Sequence, residues 1–404
     1  MAPKTRAVTA KALQSLLVRI GAASSGTKSS LEERFRHDIT RPRLFTRRPE
    51  WELSRPTDEK LRVVSIDMGI KNLAFCEAEI SYPVKDSLNA TMDVLRWEKI
   101  DLAPATRDSE TSIAQPSATE KRDMGADEDL DPYSLDVLSR TAYKLVKETI
   151  LPGTPDVILI EKQRWRSGGG SAVQQWTLRV NTLEGMLWAV LKTLYAERLG
   201  MLRKEMDLNQ GEEKGLYDVF GVDPKRVGHY WLGQSAQRHA GGEGTSSLAA
   251  GAPEEAGPKL SRSKAEKKAK ISLLRSWLTA SPASTASTTT KNTPTISFKI
   301  GKNAQSTYQA LCFPVKPSRS KKKSTVEETP DSVPEDMSAA QMKKLDDVAD
   351  CFLQAAAWVS WESNRVQLRD IWRKRLGAMD TLHDGDSGSL DNSVLLDMLR
   401  EVEG

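Results

Sequence analysis

Five carboxylates in this chain stand where they could share a cation. Asp67 ends the apolar run VVSID, and Glu161 ends the apolar run VILIE. An isolated charge beside a buried strand is costly unless it is paired or bound to a metal. Asp346, Asp347 and Asp350 lie three and four residues apart in KKLDDVADCF, so a helix would present carboxylates on one face. Taken singly, each group also fits a solvated strand end or helix start, so the chemistry depends on whether they meet.

The elements that would position these carboxylates are visible in the hydrophobic pattern. Alternating or continuous apolar runs predict strands, and apolar residues at helical spacing predict helices. The predicted order is three strands, a helix, a strand, a long helix, a strand and further helices. The segments are LRVVSIDMGI, NLAFCEAEI, DVLRWEKIDL, PYSLDVLSRTAYKLVKETIL, PDVILIE, SAVQQWTLRVNTLEGMLWAVLKTLYAERL, PKRVGHYWL (the fifth strand), KAEKKAKISLLRSWL and KLDDVADCFLQAAAWVSW.

That order predicts an α/β fold with a ribonuclease H-like mixed five-stranded sheet flanked by helices. Consecutive strands pair antiparallel, and the later strands cross over through helices. In such a sheet the first and fourth strands are neighbours and the last helix packs across them. Asp67, Glu161 and the face of residues 346–350 would then meet at one point.

Carboxylates gathered at one point cannot all stay ionised without a cation. Oxygen-only ligands favour Mg²⁺, with Mn²⁺ as a substitute. Two such ions, about 4 Å apart, activate a water and stabilise the leaving 3′ oxygen of a phosphodiester. The reaction class that follows is metal-dependent hydrolysis of a nucleic-acid backbone.

A basic and aromatic loop follows Glu161 directly. Lys162, Arg164 and Arg166 bracket Trp165 in KQRWRSGGGS, before a glycine run that opens a helix. Basic residues interleaved with an aromatic suit phosphate contact and base stacking. A flexible surface loop is the alternative. The position beside a candidate catalytic acid favours DNA binding, for which we also select Arg179 and Lys28.

Three segments together resemble the fungal mitochondrial Holliday-junction resolvases, relatives of bacterial RuvC. They are SIDMGIKNLAF, IEKQRWRSGGGSAVQQWTLRVNTLEGMLWA and KKLDDVADCFLQAAAW, within a resemblance that covers 61–200, 222–236 and 339–363. The N-terminal LQSLLVRIGAASSGTKSSLEERF is similar to a SAP motif, a small helical DNA-binding element.

The resemblance implies a homodimer that nicks two opposing strands of a four-way DNA junction symmetrically, using Mg²⁺. By motif, Asp67 and Glu161 become metal ligands on the first and fourth strands, and the last helix supplies the remaining acids. Relatives show three- or four-residue spacing there, so either Asp346 or Asp347 partners Asp350. The cut-site sequence preference does not follow from the residues.

Composition and charge divide the chain into unequal parts. Only 38% of its 404 residues are hydrophobic, which predicts one main domain with loose insertions. We expect a mitochondrial targeting and SAP-like segment at 1–48, a linker at 49–60, a resolvase domain at 61–376 and a charged tail at 377–404. Low-complexity insertions are expected at about 237–260 and 281–338 within the domain.

The N-terminal segment carries a strong positive charge. Residues 1–48 hold eleven Lys and Arg against three acids, and residues 1–31 contain no acid at all. Such a composition suits a mitochondrial presequence, so a matrix location is expected, with cleavage close to the start to spare the SAP-like helix. The cysteines show no C-x-x-C spacing, and no apolar run approaches the ~18 residues of a membrane span. We therefore expect neither a membrane partner nor a small-molecule cofactor.

Two other functions compete with the resolvase interpretation. One is a junction-binding or architectural protein without catalysis, which the set of mutually repelling acids argues against. The other is a ribonuclease H-like nuclease acting on RNA–DNA hybrids, which the SAP-like arm and the QRWRSGGG block argue against.

Overall fold

The computed structural model describes twelve stretches of the chain: 8–40, 43, 60–84, 87–102, 131, 133–163, 175–206, 216–240, 262–279, 294–313, 339–379 and 392–403. Its strands are β1 (Leu61–Asp67), β2 (Leu73–Ser81), β3 (Ala90–Ile100), β4 (Val157–Glu161), β5 (Asp218–Val222) and β6 (Ile296–Ile300). Its α-helices are α1 (Ala10–Arg19), α2 (Lys28–Ile39), α3 (Leu135–Lys144), α4 (Gln175–Met206), α5 (Pro224–Ala240), α6 (Arg262–Thr279), α7 (Gln305–Cys312), α8 (Ala339–Met379) and α9 (Asn392–Glu403).

The strands form one mixed sheet in the order β5-β4-β1-β2-β3-β6. β1, β2 and β3 pair antiparallel, whereas β4, β5 and β6 each join a neighbour in parallel. The ribonuclease H-like arrangement is thereby confirmed, including the adjacency of the first and fourth strands. The expected count of five strands was wrong, because the described residues form a sixth strand beside β3.

The fifth strand was predicted in the wrong segment. PKRVGHYWL lies in helix α5, and the preceding DVFGV forms β5. Asp223 starts the helix, since its carboxylate accepts the Lys225 N–H at 2.9 Å, and Pro224 occupies the first helical position. Val227 and Tyr230 are both buried at a spacing of three, which suits one helical face.

The predicted insertion at 281–338 is partly folded, contrary to expectation. It contains β6 and α7, which extend the sheet at its β3 edge. The ring of Phe298 in β6 stacks on Trp277 of α6 at 5.5 Å between centroids. In the other predicted insertion, residues 237–240 are the last turn of α5, while 241–260 lie outside the described residues.

The charged tail predicted at 377–404 contains a packed helix. α8 continues to Met379, and α9 buries one apolar side against α1, α2 and the end of α8. These four helices share a small core separate from the two that line the sheet. Its apolar members are Val8, Leu13, Leu16, Leu17, Ile20, Ala22, Leu31, Phe35, Ile39, Leu368, Val394, Leu395, Met398 and Leu399.

Helix α8 crosses the sheet and sets the position of the carboxylate-bearing segment. Its residues Phe352, Leu353 and Ala356 are fully buried in the core that covers one sheet face. The indole N–H of Trp97 in β3 donates to the carbonyl of Val348 at 2.8 Å, which fixes the helix among the aspartates. None of the helices in the described part of the chain has the length and apolar character needed to cross a bilayer.

Candidate active site at the ends of β1 and β4

Asp67 and Glu161 lie side by side at the ends of neighbouring parallel strands. Ile66 is in register with Ile160, so the next residue of each strand is one of the two acids. Asp67 is 9% exposed, and its carboxyl shares a hydrogen bond with that of Glu161. Burial, this hydrogen bond and the neighbouring negative charges raise the pKa of Asp67 well above its usual range. The Asp67 carboxyl therefore keeps its proton to a higher pH than an ordinary aspartate.

Helix α8 brings two further carboxylates to the same pair. The charges of Asp350 and Asp347 both contribute to the raised pKa of Asp67. Burial raises the pKa of Asp350 to about 6, although its partner Lys270 acts in the opposite direction. Burial also raises the pKa of Asp347, against the effect of Lys99. The strand and helix acids thus influence one another electrostatically, and their convergence on one cation stays a prediction.

Three lysines that sequence reasoning did not select hold the aspartates of α8. Lys99 of β3 donates to Asp347 at 3.1 Å. Lys270 of α6 donates to Asp350 at 2.9 Å, and Lys267 of the same helix is paired with Asp346. Lys270 is only 8% exposed, and its pKa is raised because the charge and hydrogen bond of Asp350 outweigh its burial. A basic helix from the middle of the chain is thus part of the site.

The two candidate partners of Asp350 differ in their surroundings. Asp347 acts electrostatically on Asp67 and keeps a partly exposed side chain. Asp346 is 3% exposed and paired with Lys267, and its charge acts on Asp347 and Asp350. One of its carboxylate oxygens, Oδ1, is buried without a hydrogen-bond partner. Asp347 is therefore the aspartate that faces the strand pair, and Asp346 faces α6.

The donor set fits a hard divalent cation in its chemistry. It consists of carboxylate oxygens, and it includes an unpaired buried oxygen on Asp346. As placed, no three Asp, Glu, His or Cys side chains among the described residues are gathered closely enough to hold one ion. The lysines explain the spacing, since each of Asp346, Asp347 and Asp350 is drawn toward an ammonium group.

A sixth carboxylate, Glu184 of α4, was missed by sequence reasoning. It accepts the backbone N–H of Gln163 at 3.0 Å, two residues after Glu161. The side-chain amide of Gln163 in turn donates to Glu161 at 3.3 Å. Burial raises the pKa of Glu184, and the charge of Glu161 acts in the same direction. The helical spacing of α4 gave no reason to separate Glu184 from an ordinary surface acid.

The residues selected for DNA binding are only partly described. Lys162 is exposed at the end of β4, beside the acids. Arg179 stacks on Tyr133 at 4.2 Å and lies 3.5 Å from Asp131, and Lys28 pairs loosely with Glu32 at 3.8 Å in the N-terminal motif. Arg164, Trp165 and Arg166 lie outside the described residues.

The sequence matches one known protein family over most of its length. Residues 63–368, which span β1 to the middle of α8 and hold every candidate acid, match the family described as "Mitochondrial resolvase Ydc2 / RNA splicing MRS1". The chain belongs to this family. The family description names a resolvase and an RNA splicing protein, so membership in the family does not by itself decide between these two activities.

One curated relative in this family is the "Cruciform cutting endonuclease 1, mitochondrial" of Schizosaccharomyces pombe. It is 32% identical over 173 residues, which are 42% of this chain and 52% of the relative. The chain thus spans about half the length of the curated relative it matches.

Two solved structures are similar at a lower level. The yeast mitochondrial Holliday junction resolvase Ydc2 is 22% identical, with 91% of this chain and 99% of that chain covered and a TM-score of 0.45. RuvC from Thermus thermophilus is 11% identical, with 43% and 70% covered and a TM-score of 0.23. The fold stated above therefore stands on the strand order itself.

Proposed function

We propose that this protein is a metal-dependent endonuclease that resolves four-way DNA junctions by nicking two opposing strands symmetrically. The observation that carries the proposal is the hydrogen-bonded pair of buried Asp67 and half-buried Glu161, with the charges of Asp347 and Asp350 acting on Asp67. Carboxyls with strongly raised pKa values cluster at functional sites, which favours a catalytic role. The curated relative is named a cruciform cutting endonuclease, which supports the same substrate.

The proposed ligands of Mg²⁺ are Asp67, Glu161, Asp347 and Asp350, with Asp346 as a supporting acid that fixes α6. Two bound ions would supply an activated water and stabilise the leaving 3′ oxygen. The fold of the chain positions these ligands. β1 and β4 hold Asp67 and Glu161 side by side, and α8 carries Asp347 and Asp350, whose charges act on Asp67.

The lysines of the site suit a phosphate group. Lys99 and Lys270 neutralise Asp347 and Asp350 in the metal-free protein. We infer that these ammonium groups exchange their aspartate partners for the scissile and adjacent phosphates when cation and DNA bind. Lys162, exposed beside Glu161, adds a positive charge at the same place, and Arg164 and Arg166 follow it in the sequence as further candidates for phosphate contact.

A homodimer is supported by the outward face of α4. Leu178, Gly185 and Ala189 are exposed at spacings of seven and four, and the space around the Gly185 Cα is open. An exposed glycine inside a helix costs about 1 kcal/mol relative to alanine. A second copy of α4 approaching closely at this point would offset that cost, and it would set two active sites for paired nicks.

A mitochondrial matrix location is supported by the relative's name and by the acid-free N-terminus. Leu13, Leu16 and Leu17 of α1 are fully buried in the helical core. Asn364 and Arg365 of α8 donate to the carbonyls of Arg19 and Ile20 at 3.0 and 2.8 Å. Presequence removal would therefore have to occur before Val8 for the SAP-like pair of helices to remain in place.

The second activity in the family description, RNA splicing, is the alternative. The pairing of Asp346, Asp347 and Asp350 with lysines is the observation that favours it, because each of these carboxylates already has a cationic partner within the protein. A splicing role would need RNA binding and no hydrolysis.

One assay separates these functions. The full chain is incubated with Mg²⁺ and a labelled four-way junction, a linear duplex, an RNA–DNA hybrid or a structured RNA. Paired nicks on the junction alone are expected. Tight binding of junction or RNA with no cleavage in Mg²⁺ or Mn²⁺ would contradict the endonuclease, and cleavage of the hybrid would assign a different substrate.

A further inference from the structure

Gln354 is a buried amide in an otherwise apolar stretch of α8. It is 3% exposed between Leu353 and Ala355, both of which are fully buried. A buried amide is unfavourable unless its polar atoms are hydrogen-bonded. Gln354 meets this requirement on β1, where its Nε2 donates to the Ser65 hydroxyl at 3.0 Å and to the Ile66 carbonyl at 3.2 Å.

These two bonds join the segments that carry Asp350 and Asp67. Gln354 follows Asp350 by four residues, so the two side chains lie on one face of α8, a turn apart. Ile66 is bonded to Asp67 through the next peptide. The tie therefore connects the end of β1 that carries Asp67 to the turn of α8 that follows Asp350.

Apolar packing alone would fix this contact poorly. The hydrophobic effect is non-directional, and it tolerates small shifts of a helix along a sheet. A buried amide with two directed bonds has one favourable register, and any shift leaves its donor unpaired. The Trp97 bond to Val348 secures the preceding turn but contacts neither β1 nor Asp67.

We propose that Gln354 is a positioning residue, which sets the register of α8 on β1 so that Asp350 and Asp67 address the same cation. The inference rests on the proposed metal site. It assigns a role in that site to an uncharged residue outside the acid motif.

Direct metal binding tests this role without cleavage. Mn²⁺ binding to the full chain is followed by the loss of free-ion electron paramagnetic resonance signal, for wild type, Gln354→Met and Ser65→Ala. Methionine keeps the length and buried volume of glutamine but cannot donate. We expect about a tenfold rise in the Mn²⁺ dissociation constant for Gln354→Met and a smaller rise for Ser65→Ala, which leaves the Ile66 bond.

The control separates positioning from loss of stability. Val359→Ala removes buried volume from the same helix, about two and a half turns past Asp350, and should lower the melting temperature without changing Mn²⁺ affinity. The double variant Ser65→Ala with Gln354→Met should bind Mn²⁺ no more weakly than Gln354→Met, because both changes break one tie.

The outcomes distinguish this inference from the proposed function. If wild type does not bind Mn²⁺, the metal site itself is wrong and the inference falls with it. If wild type binds and Gln354→Met binds equally well, the positioning role alone is overturned. Equal weakening in Gln354→Met and Val359→Ala would also overturn it, since the effect would then follow general destabilisation.

Discussion

Without metal, the acid site should make the protein less stable as the pH rises. The pKa of Asp350 is raised from 3.8 to about 6 in the folded chain. A raised folded value means that the stabilisation is fully present below pH 3.8 and is lost as the pH rises through about 6. At 1.36 kcal/mol per unit, the whole effect is roughly 3 kcal/mol, of which about half remains at pH 5 and almost none at pH 7.5.

The perturbation that isolates this effect is Asp350→Asn. Its free energy of unfolding is compared with that of wild type at pH 5 and pH 7.5, by urea denaturation in a chelator with tryptophan fluorescence as the signal. The Lys270 pair needs no separate correction, because Lys270 stays charged across this range and its attraction is already part of the shifted pKa of Asp350. The stability lost by wild type between the two pH values should exceed that lost by Asp350→Asn by about half of this effect, roughly 1–2 kcal/mol.

A matched control and a metal arm complete the experiment. Asp136→Asn alters an exposed aspartate of α3 and should leave the pH dependence of wild type unchanged. Mg²⁺ should stabilise wild type at pH 7.5 and have little effect at pH 5, where protons compete for the same oxygens. An equal pH dependence in wild type and Asp350→Asn would refute the electrostatic argument, as would stabilisation by Mg²⁺ that persists in Asp350→Asn.

Three further predictions follow from the same contacts. Lys270→Gln removes the ammonium group that competes with a metal for Asp350. The Mn²⁺ dissociation constant, measured by electron paramagnetic resonance, should therefore fall about tenfold. A higher dissociation constant would mean that Lys270 supports the metal-bound state instead. Leu178→Glu or Gly185→Glu should convert the proposed dimer into a monomer, as measured by light scattering. The control Glu197→Gln, farther along α4, should leave the dimer intact. A wild-type protein that is already monomeric would contradict the proposed interface. A chain that begins at residue 23 lacks the buried leucines of α1 and should lose several kcal/mol of stability. Mass spectrometry of the protein isolated from mitochondria should find a first residue before Val8. A first residue beyond Ile20 would contradict the docking of α1.

Much of the fold could be predicted because its strands bury apolar residues on both faces. The runs ending in Asp67 and Glu161 are the clearest examples, and both acids stand where the strand order placed them. Helix α5 was mistaken for a strand because Val227, Tyr230 and Trp231 favour β structure, while the capping by Asp223 that starts the helix is a local contact. β6 was missed because it is half-exposed at the sheet edge between polar segments.

The acidic residues of the candidate site could be selected from the sequence, but the lysines that pair with them could not. Lys267 and Lys270 stand about eighty residues before the aspartates that they hold, in a helix between two low-complexity segments. Their spacing of three matches the four-residue spacing of Asp346 and Asp350, but only the packing of α6 on α8 shows that the two helices meet. The choice between Asp346 and Asp347 depended on the same contact, since Lys267 engages Asp346.

The central claim is that Asp67, Glu161 and the aspartates of α8 serve DNA cleavage as metal ligands and do not serve DNA recognition. The most direct measurement compares wild type, Asp67→Asn and Glu161→Gln for binding to a four-way junction in Ca²⁺ and for strand cleavage in Mg²⁺. Both variants should bind the junction within about threefold of wild type, because they leave the basic surface intact, and should lose cleavage by at least a thousandfold. Cleavage that survives either change, or junction affinity that collapses together with cleavage, would contradict the assignment of Asp67 and Glu161 as the metal-binding centre of the site.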